Sequence, residues 1–241
     1  MPLIKSISGI RGTLENIPGE SLSDYDVKQF TLGYLEEIIL YESSKTILVG
    51  RDARKSGKRI SNIIIDVVLN EGYNVIDLRL VTTPTIGIAV KKHKTAGAIM
   101  ISASHNDEKW NALKLLNSNG EFLHPEEVQK VIKETKRIQS NKEKPGNLSS
   151  YANALDDHIN LILSQNFINK NNIASKSIAV AVDGINSVGG VAIPKFLESL
   201  GIKKIKKINC NPDGNFNHNP EPLPENITDL CSEMKRGKFF Q

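Results

Sequence analysis

The stretch Ala96-Gly97-Ala98-Ile99-Met100-Ile101-Ser102-Ala103-Ser104-His105-Asn106 passes without a break from small and branched apolar residues into hydroxyl, imidazole and amide groups. An apolar run of this length reads as a strand buried on both faces, the kind found inside a parallel sheet. Parallel strands need long crossovers, usually helical, and the flanking sequence supplies them. Residues 46–50 (TILVG) read as one buried strand and residues 74–80 (NVIDLRL) as another. Between them Ser56 stands as a helix cap, with Ile60, Ile64, Val67 and Val68 at i, i+4, i+7 and i+8 and Gly72 at the stop. A short helix is predicted over 85–93, before the strand at 96–102. Apolar stretches at 113–116 and 121–123 flank Asn117-Ser118-Asn119-Gly120, a hairpin signal, and Pro125 opens a helix with Val128, Val131 and Ile132 on one face. The alternation predicts an α/β fold whose sheets are mixed but mostly parallel, sandwiched by helices.

The chain turns polar from Gln139 to Ser150, around Pro145 and Gly146, and this marks a boundary. The sequence thus divides into 1–150 and 151–241. In the second part a helix carries Leu155, Ile159 and Ile162. Residues 176–183 (KSIAVAVD) form a strand, a glycine-containing loop at 184–190 leads into a helix ending near Gly201, and 204–208 form another strand. A last helix is predicted from Pro224-Glu225-Asn226 to Lys235 or Arg236. The chain then stops at Phe239-Phe240-Gln241 with no strand after it. A finished helix in an α/β unit normally returns to the sheet, so the second domain is expected to be incomplete and to continue in further C-terminal domains of the same chain.

The 241 residues include 39% hydrophobic and 24% charged residues, enough for sizeable cores in two domains. The net charge of +4 is spread along the chain; it is no nucleic-acid footprint, and most of the lysines read as a solvated surface. It is compatible with a small anionic substrate. Cys210 and Cys231 lie far apart without CxxC spacing, which predicts neither a zinc nor a redox site and fits a reducing cytoplasmic setting. No signal-peptide pattern and no run near the ~18 apolar residues of a membrane helix is found, so no membrane partner is expected.

Polar residues at the carboxyl end of a parallel strand lie where open α/β sheets bind their ligands, although a plain Ser/Asn turn is the commoner fate of such a string. Ser104 and Lys114 flank the loop 107–111. A hydroxyl can carry a phosphoryl group, and an ammonium can neutralise charge or move a proton once its site lowers its pKa. Two basic loops accompany them. Ser8-Gly9-Ile10-Arg11-Gly12 sets an arginine between glycines, and Gly50-Arg51-Asp52-Ala53-Arg54 follows a strand end, before Ser56-Gly57. Arginine forks and bare glycine backbone both suit phosphate, which makes Gly9, Gly12, Arg51, Asp52 and Arg54 candidate phosphate or substrate ligands; Arg51-Asp52 reads equally well as a salt bridge within a turn. No GxGxxG follows a strand, which excludes a nucleotide-binding Rossmann site.

Together these elements resemble the α-D-phosphohexomutase superfamily, which includes phosphoglucomutase, phosphomannomutase and phosphoglucosamine mutase. The family pattern Thr/Ser-Ala-Ser-His-Asn-Pro followed by Asn-Gly-x-Lys is met by Ser102-Ala103-Ser104-His105-Asn106-Asp107 and Asn111-Ala112-Leu113-Lys114. Gly9-Ile10-Arg11-Gly12, residues 50–57, Val182-Asp183-Gly184 with Gly189-Gly190, and Pro212-Asp213-Gly214 with Asn219-Pro220-Glu221-Pro222 and Glu225-Asn226 continue it along the chain. Asp107 and Ala112 depart from the family's proline and glycine.

The resemblance implies a phosphohexomutase that interconverts hexose 1- and 6-phosphates through a phosphoserine and a sugar bisphosphate. Ser104 would carry the phosphoryl group, Lys114 would be the acid/base and Arg11 would hold charge nearby, with His105 and Asn106 supporting the loop. His105 could equally be an ordinary loop histidine. The resemblance also implies one Mg²⁺, bound through the phosphate on Ser104 and three aspartates of an Asp-Gly-Asp-x-Asp-Arg loop. That loop is not found in this sequence and is expected just after Gln241. The 241 residues alone are therefore expected to show no mutase turnover. A serine-dependent phosphotransferase or phosphatase, and a non-catalytic sugar-phosphate-binding module, are the alternatives. Glucose, mannose and glucosamine phosphates all stay open as substrates.

Overall fold

The computed structural model describes residues 3–7, 9–133 and 144–236. Ser8, Gln139 in the polar stretch and the ending Phe239-Phe240-Gln241 lie outside the described residues. The chain forms two units. The first is built from the stretch up to Asp52, Ser56–Ser104 and Lys109–Ala154. The second is built from Leu155 onward, joined by the short segments Ala53–Lys55 and His105–Glu108.

The first unit holds strands β1 (Ile4–Ser6), β2 (Gly9–Thr13), β3 (Thr46–Arg51), β4 (Asn74–Leu80), β5 (Gly97–Ile101), β6 (Trp110–Leu116) and β7 (Leu148–Ser150). They form one sheet in the order β1-β2-β6-β5-β3-β4-β7. β3 pairs in parallel with β4 and β5, and β4 with β7. The β1–β2, β2–β6 and β5–β6 pairs are antiparallel. Every residue of β5 is buried, as its unbroken apolar run requires. One face of the sheet is covered by helices α1 (Asp24–Tyr34), α2 (Gly57–Asn70) and α4 (Pro125–Lys133), through Phe30, Ile60, Ile64, Val68 and Val131 against Ile47, Ile99 and Leu113. The other face receives α3 (Thr83–His93), through Ile86, Ala89 and Val90 against Leu48, Ala98 and Met100. In the second unit β8 (Ala179–Asp183) and β9 (Lys204–Ile208) pair in parallel. They are accompanied by α5 (Ala154–Leu163), α6 (Lys170–Ser175), α7 (Gly189–Ser199) and α8 (Thr228–Arg236).

Several local expectations are revised. The polar stretch is more than a boundary, because β7 pairs Leu148 with Val75 and carries the first unit on to Ala154. Ser56 stands at the start of α2 in helical conformation and makes no side-chain cap. Its hydroxyl instead accepts from Asn111 Nδ2 at 2.8 Å. The strand expected from residue 176 begins only at Ala179, since Ser177 takes φ 51° and turns the chain after α6. The hairpin signal makes a turn, in which Asn117 Oδ1 accepts from the N–H groups of Asn119 and Glu121. The return is a single bridge, Leu116 to Phe122, rather than a strand.

Candidate active site

β3 and β5 run parallel with Arg51 opposite Ile101, so their carboxyl ends share one sheet edge. Asp52 N continues the ladder by donating to Ile101 O at 3.0 Å. β6 returns antiparallel, with Met100 opposite Lys114, and Ser102 N donates to Ala112 O at 3.1 Å. On its far side β6 meets β2, with Arg11 opposite Ala112. Directly paired residues share a face and successive residues alternate. Register therefore sends Ile10, Leu113 and Leu115 into the core beneath the sheet and places Arg11 and Lys114 together on the opposite face.

This arrangement depends on Gly9. At φ 124° it lies outside the range of ordinary side chains, and a Cβ there would meet the Leu113 carbonyl at 2.5 Å and Lys114 Cγ at 3.4 Å. The bare backbone leaves room for the lysine stem. Gly12 allows a different close approach: a Cβ would meet Leu22 N at 2.6 Å. It packs the segment after β2 and belongs to the scaffold.

Ser104 is exposed and adopts φ 57°, the left-handed region. Its N–H donates to Ser102 Oγ at 3.2 Å. An L-residue held there costs about 1–2 kcal/mol, and such strain gathers at functional loops. Lys114 is half-buried, with its pKa lowered first by that burial and then by the Arg11 charge, against the opposing pull of Asp52. Its Nζ lies 5.5 Å from the Phe122 ring centroid, and the Arg11 guanidinium lies 5.7 Å from that of Trp110. Both rings support the cations from their π-faces. Asp52 is 9% exposed, and Arg51 Nη1 donates to the Asp52 carbonyl at 3.2 Å. The first unit thus carries Ser104, Arg51 and Asp52 at the carboxyl ends of β5 and β3, and Arg11 and Lys114 on one face of the adjoining strands β2 and β6.

Arg54, His105 and Asn106 belong to the second unit. Arg54 is 2% exposed and its fork is engaged by backbone: Nη2 donates to Asn106 O at 2.6 Å and Nη1 to Asp107 O. Its guanidinium stacks 5.0 Å from the Phe216 ring centroid. Arg54 thus clamps the loop that follows Ser104. His105 is exposed with Nε2 3.2 Å from Glu221 Oε2. Asn106 is half-buried within the clamp.

Four residues of these surroundings were given no role on the sequence. Asn111 is fully buried and joins the start of α2 to β6; its Oδ1 also accepts from Ala112 N at 2.9 Å. Only its place in the Asn-x-x-Lys pattern signalled it. Trp110 and Phe122 sit beside the cations, and Glu221 meets His105; no local spacing announces those contacts. Among the described residues no three His, Cys, Asp or Glu side chains gather as a metal would require. Beyond an oxygen on a phosphorylated Ser104, they do not make a fitting set of hard ligands for Mg²⁺.

Comparison with known proteins gives this geometry a context. A putative phosphomannomutase from Thermus thermophilus superposes with a TM-score of 0.79 at 19% sequence identity, over 96% of this chain and 52% of that one. A phosphoglucosamine mutase from Methanococcus aeolicus is 32% identical over 211 residues, 85% of this chain and 44% of the relative. A phosphoglucomutase/phosphomannomutase from Thermococcus kodakarensis is 32% identical over 193 residues, 78% of this chain and 41% of the relative. The chain spans about half the length of the relatives it matches. Residues 4–142 match phosphoglucomutase/phosphomannomutase α/β/α domain I and residues 156–239 match domain II, so the chain belongs to the phosphoglucomutase/phosphomannomutase family.

Proposed function

We propose that this chain carries the phosphoryl-transfer centre of a hexose-phosphate mutase, with Ser104 as the residue that takes and returns the phosphoryl group. The observation that carries this reading is the exposed serine in left-handed conformation at the end of β5, in the sheet whose strands β2 and β6 present Arg11 and a Lys114 of lowered pKa. In the forward step a sugar hydroxyl attacks the phosphorus in line and the bond to Ser104 Oγ breaks. The hydroxyl proton passes to neutral Lys114, whose desolvation favours that form. Arg11 offsets charge on the equatorial oxygens. Ser104 Oγ leaves with the bonding electron pair and takes that proton from Lys114; the bisphosphate turns over, Lys114 removes the proton again as Oγ attacks the other phosphate, and it passes the proton to the departing sugar oxygen. Arg51 and Asp52 hold the neighbouring turn, and Asp52 also moderates the charge around Lys114.

The names of the relatives favour a glucosamine phosphate as substrate, with glucose and mannose phosphates next. The test is incubation of the protein with glucose 1,6-bisphosphate or glucosamine 1,6-bisphosphate, followed by peptide mass spectrometry. One phosphoryl group is expected on the peptide bearing Ser104, and none in Ser104→Ala. Label on another residue, or none in the wild type, would refute the proposal.

A further inference from the structure

At the carboxyl end of β8, in the second unit, the Asp183 carboxylate is surrounded by donors. Its Oδ1 accepts from Ile185 N at 3.0 Å, Asn209 Nδ2 reaches both oxygens at 3.2 Å, and His218 Nε2 lies 2.9 Å from Oδ2. The other ring nitrogen, His218 Nδ1, lies 2.9 Å from the Asn219 carbonyl. Both partners of this imidazole are acceptors. A backbone carbonyl cannot donate, and Oδ2 belongs to a carboxylate already accepting elsewhere. A neutral imidazole has one N–H and satisfies only one of the two; the imidazolium satisfies both.

We propose that His218 is a proton-operated latch: as an imidazolium it ties the segment around Asn219 to the end of β8, and on losing its proton it releases one of the two attachments. The charged groups facing it are Asp183 from β8 and Asp229 from α8. Partial burial works against the cation, but the Asn219 carbonyl, Asp183 and Asp229 together prevail and hold its pKa above the ordinary imidazole value.

Two further observations sharpen the proposal. Ile185, Asn186 and Asn209 all take positive φ at this junction, 48°, 51° and 48°, so the bonds around Asp183 hold strained backbone. The stretch just before the latch is fastened by groups that do not titrate near neutral pH, among them the Asp213 carboxylate that accepts from Asn215 N at 2.8 Å. Asn186 Nδ2 donates to Asn215 O at 2.8 Å, Asn186 O accepts from Gly214 N at 3.0 Å, and Asn211 N donates to Asn186 Oδ1 at 3.2 Å. The stretch after it is tied to the same residue, because Glu221 N donates to Asn219 Oδ1 at 3.0 Å. Glu221 is also the partner of His105.

The sign follows from a folded pKa above the unfolded one. The latch contributes fully below about pH 6.5 and is lost as pH rises through the folded value. The test is a proton NMR titration of the wild-type protein with amide-exchange protection factors measured at each pH. His218 is expected to titrate above 6.5. Protection at Glu221 and Leu223 should fall roughly tenfold through that transition, the scale of one lost charge-assisted hydrogen bond, while Gly214 and Asn215 keep theirs. His218→Gln should show the low value at every pH. A midpoint at or below 6.5, or unchanged protection at Glu221 and Leu223 across the titration, would overturn the proposal. The wild-type titration decides it even if the variant does not fold.

Discussion

Replacing Ser104 by glycine separates what the backbone asks of this position from what the chemistry asks. At φ 57° the serine sits where an L-residue costs about 1–2 kcal/mol, and glycine removes that cost. Against this, glycine widens the unfolded ensemble by about 0.4–1 kcal/mol. The net expectation is that Ser104→Gly stabilises the protein by about 0.5–1 kcal/mol. Ser104→Ala keeps the strain; since the side chain is exposed, it should stay within about 0.5 kcal/mol of wild type. The backbone bond from Ser104 N to Ser102 Oγ survives in both variants. In a chain of this size 1 kcal/mol corresponds to about 2–4 °C in Tm, so the two variants should be resolved by calorimetry, glycine melting higher. Neither should take a phosphoryl group from a hexose bisphosphate. A glycine variant melting below the alanine variant would refute the claim that position 104 is held in left-handed conformation.

Three further outcomes are expected. Gly97→Ala should destabilise by about 3 kcal/mol or more, because its Cβ would fall on Tyr34 Oη, which is fully buried and donates to Leu116 O at 2.5 Å; urea denaturation measures this, and a near-neutral result would contradict the packing. Lys114→Met should remove a stability gain that wild type shows as pH rises from the lowered lysine pKa towards about 10.4, since the unfolded chain binds the extra proton. In the same titration Arg11→Met should raise the Lys114 pKa and Asp52→Asn should lower it, read by NMR at the lysine Cε. Arg54→Lys should cost about 2–3 kcal/mol and open the 105–108 loop to protease, because an ammonium cannot hold two carbonyls and stack on Phe216 at once.

Much of the fold was legible because burial writes itself into short runs. β3, β4, β5 and β9 fall within a residue or two of their predicted places, since each is a compact apolar or alternating string bounded by turns. The serine loop was legible as a pattern of residue types at the end of a buried run. Weakly apolar pieces were not legible. β7 reads Leu-Ser-Ser and is exposed along its length; only the waiting edge of β4 makes it a strand. Ser56 has the right residue type and place for a cap, yet the amide of Asn111, distant in sequence, takes its hydroxyl.

The sequence by itself determined that Ser104 follows a buried strand, that Lys114 comes ten positions later and that Arg11 stands between glycines, because these are facts of order and composition. Antiparallel register decided that Arg11 and Lys114 share a face, and desolvation then lowered the lysine's pKa. Long-range hydrogen bonding made Arg54 a clamp on the 105–108 loop and set His218 against the Asp183 carboxylate. Electrostatics and donor–acceptor matching act between atoms in space, and only tertiary structure determines which atoms those are.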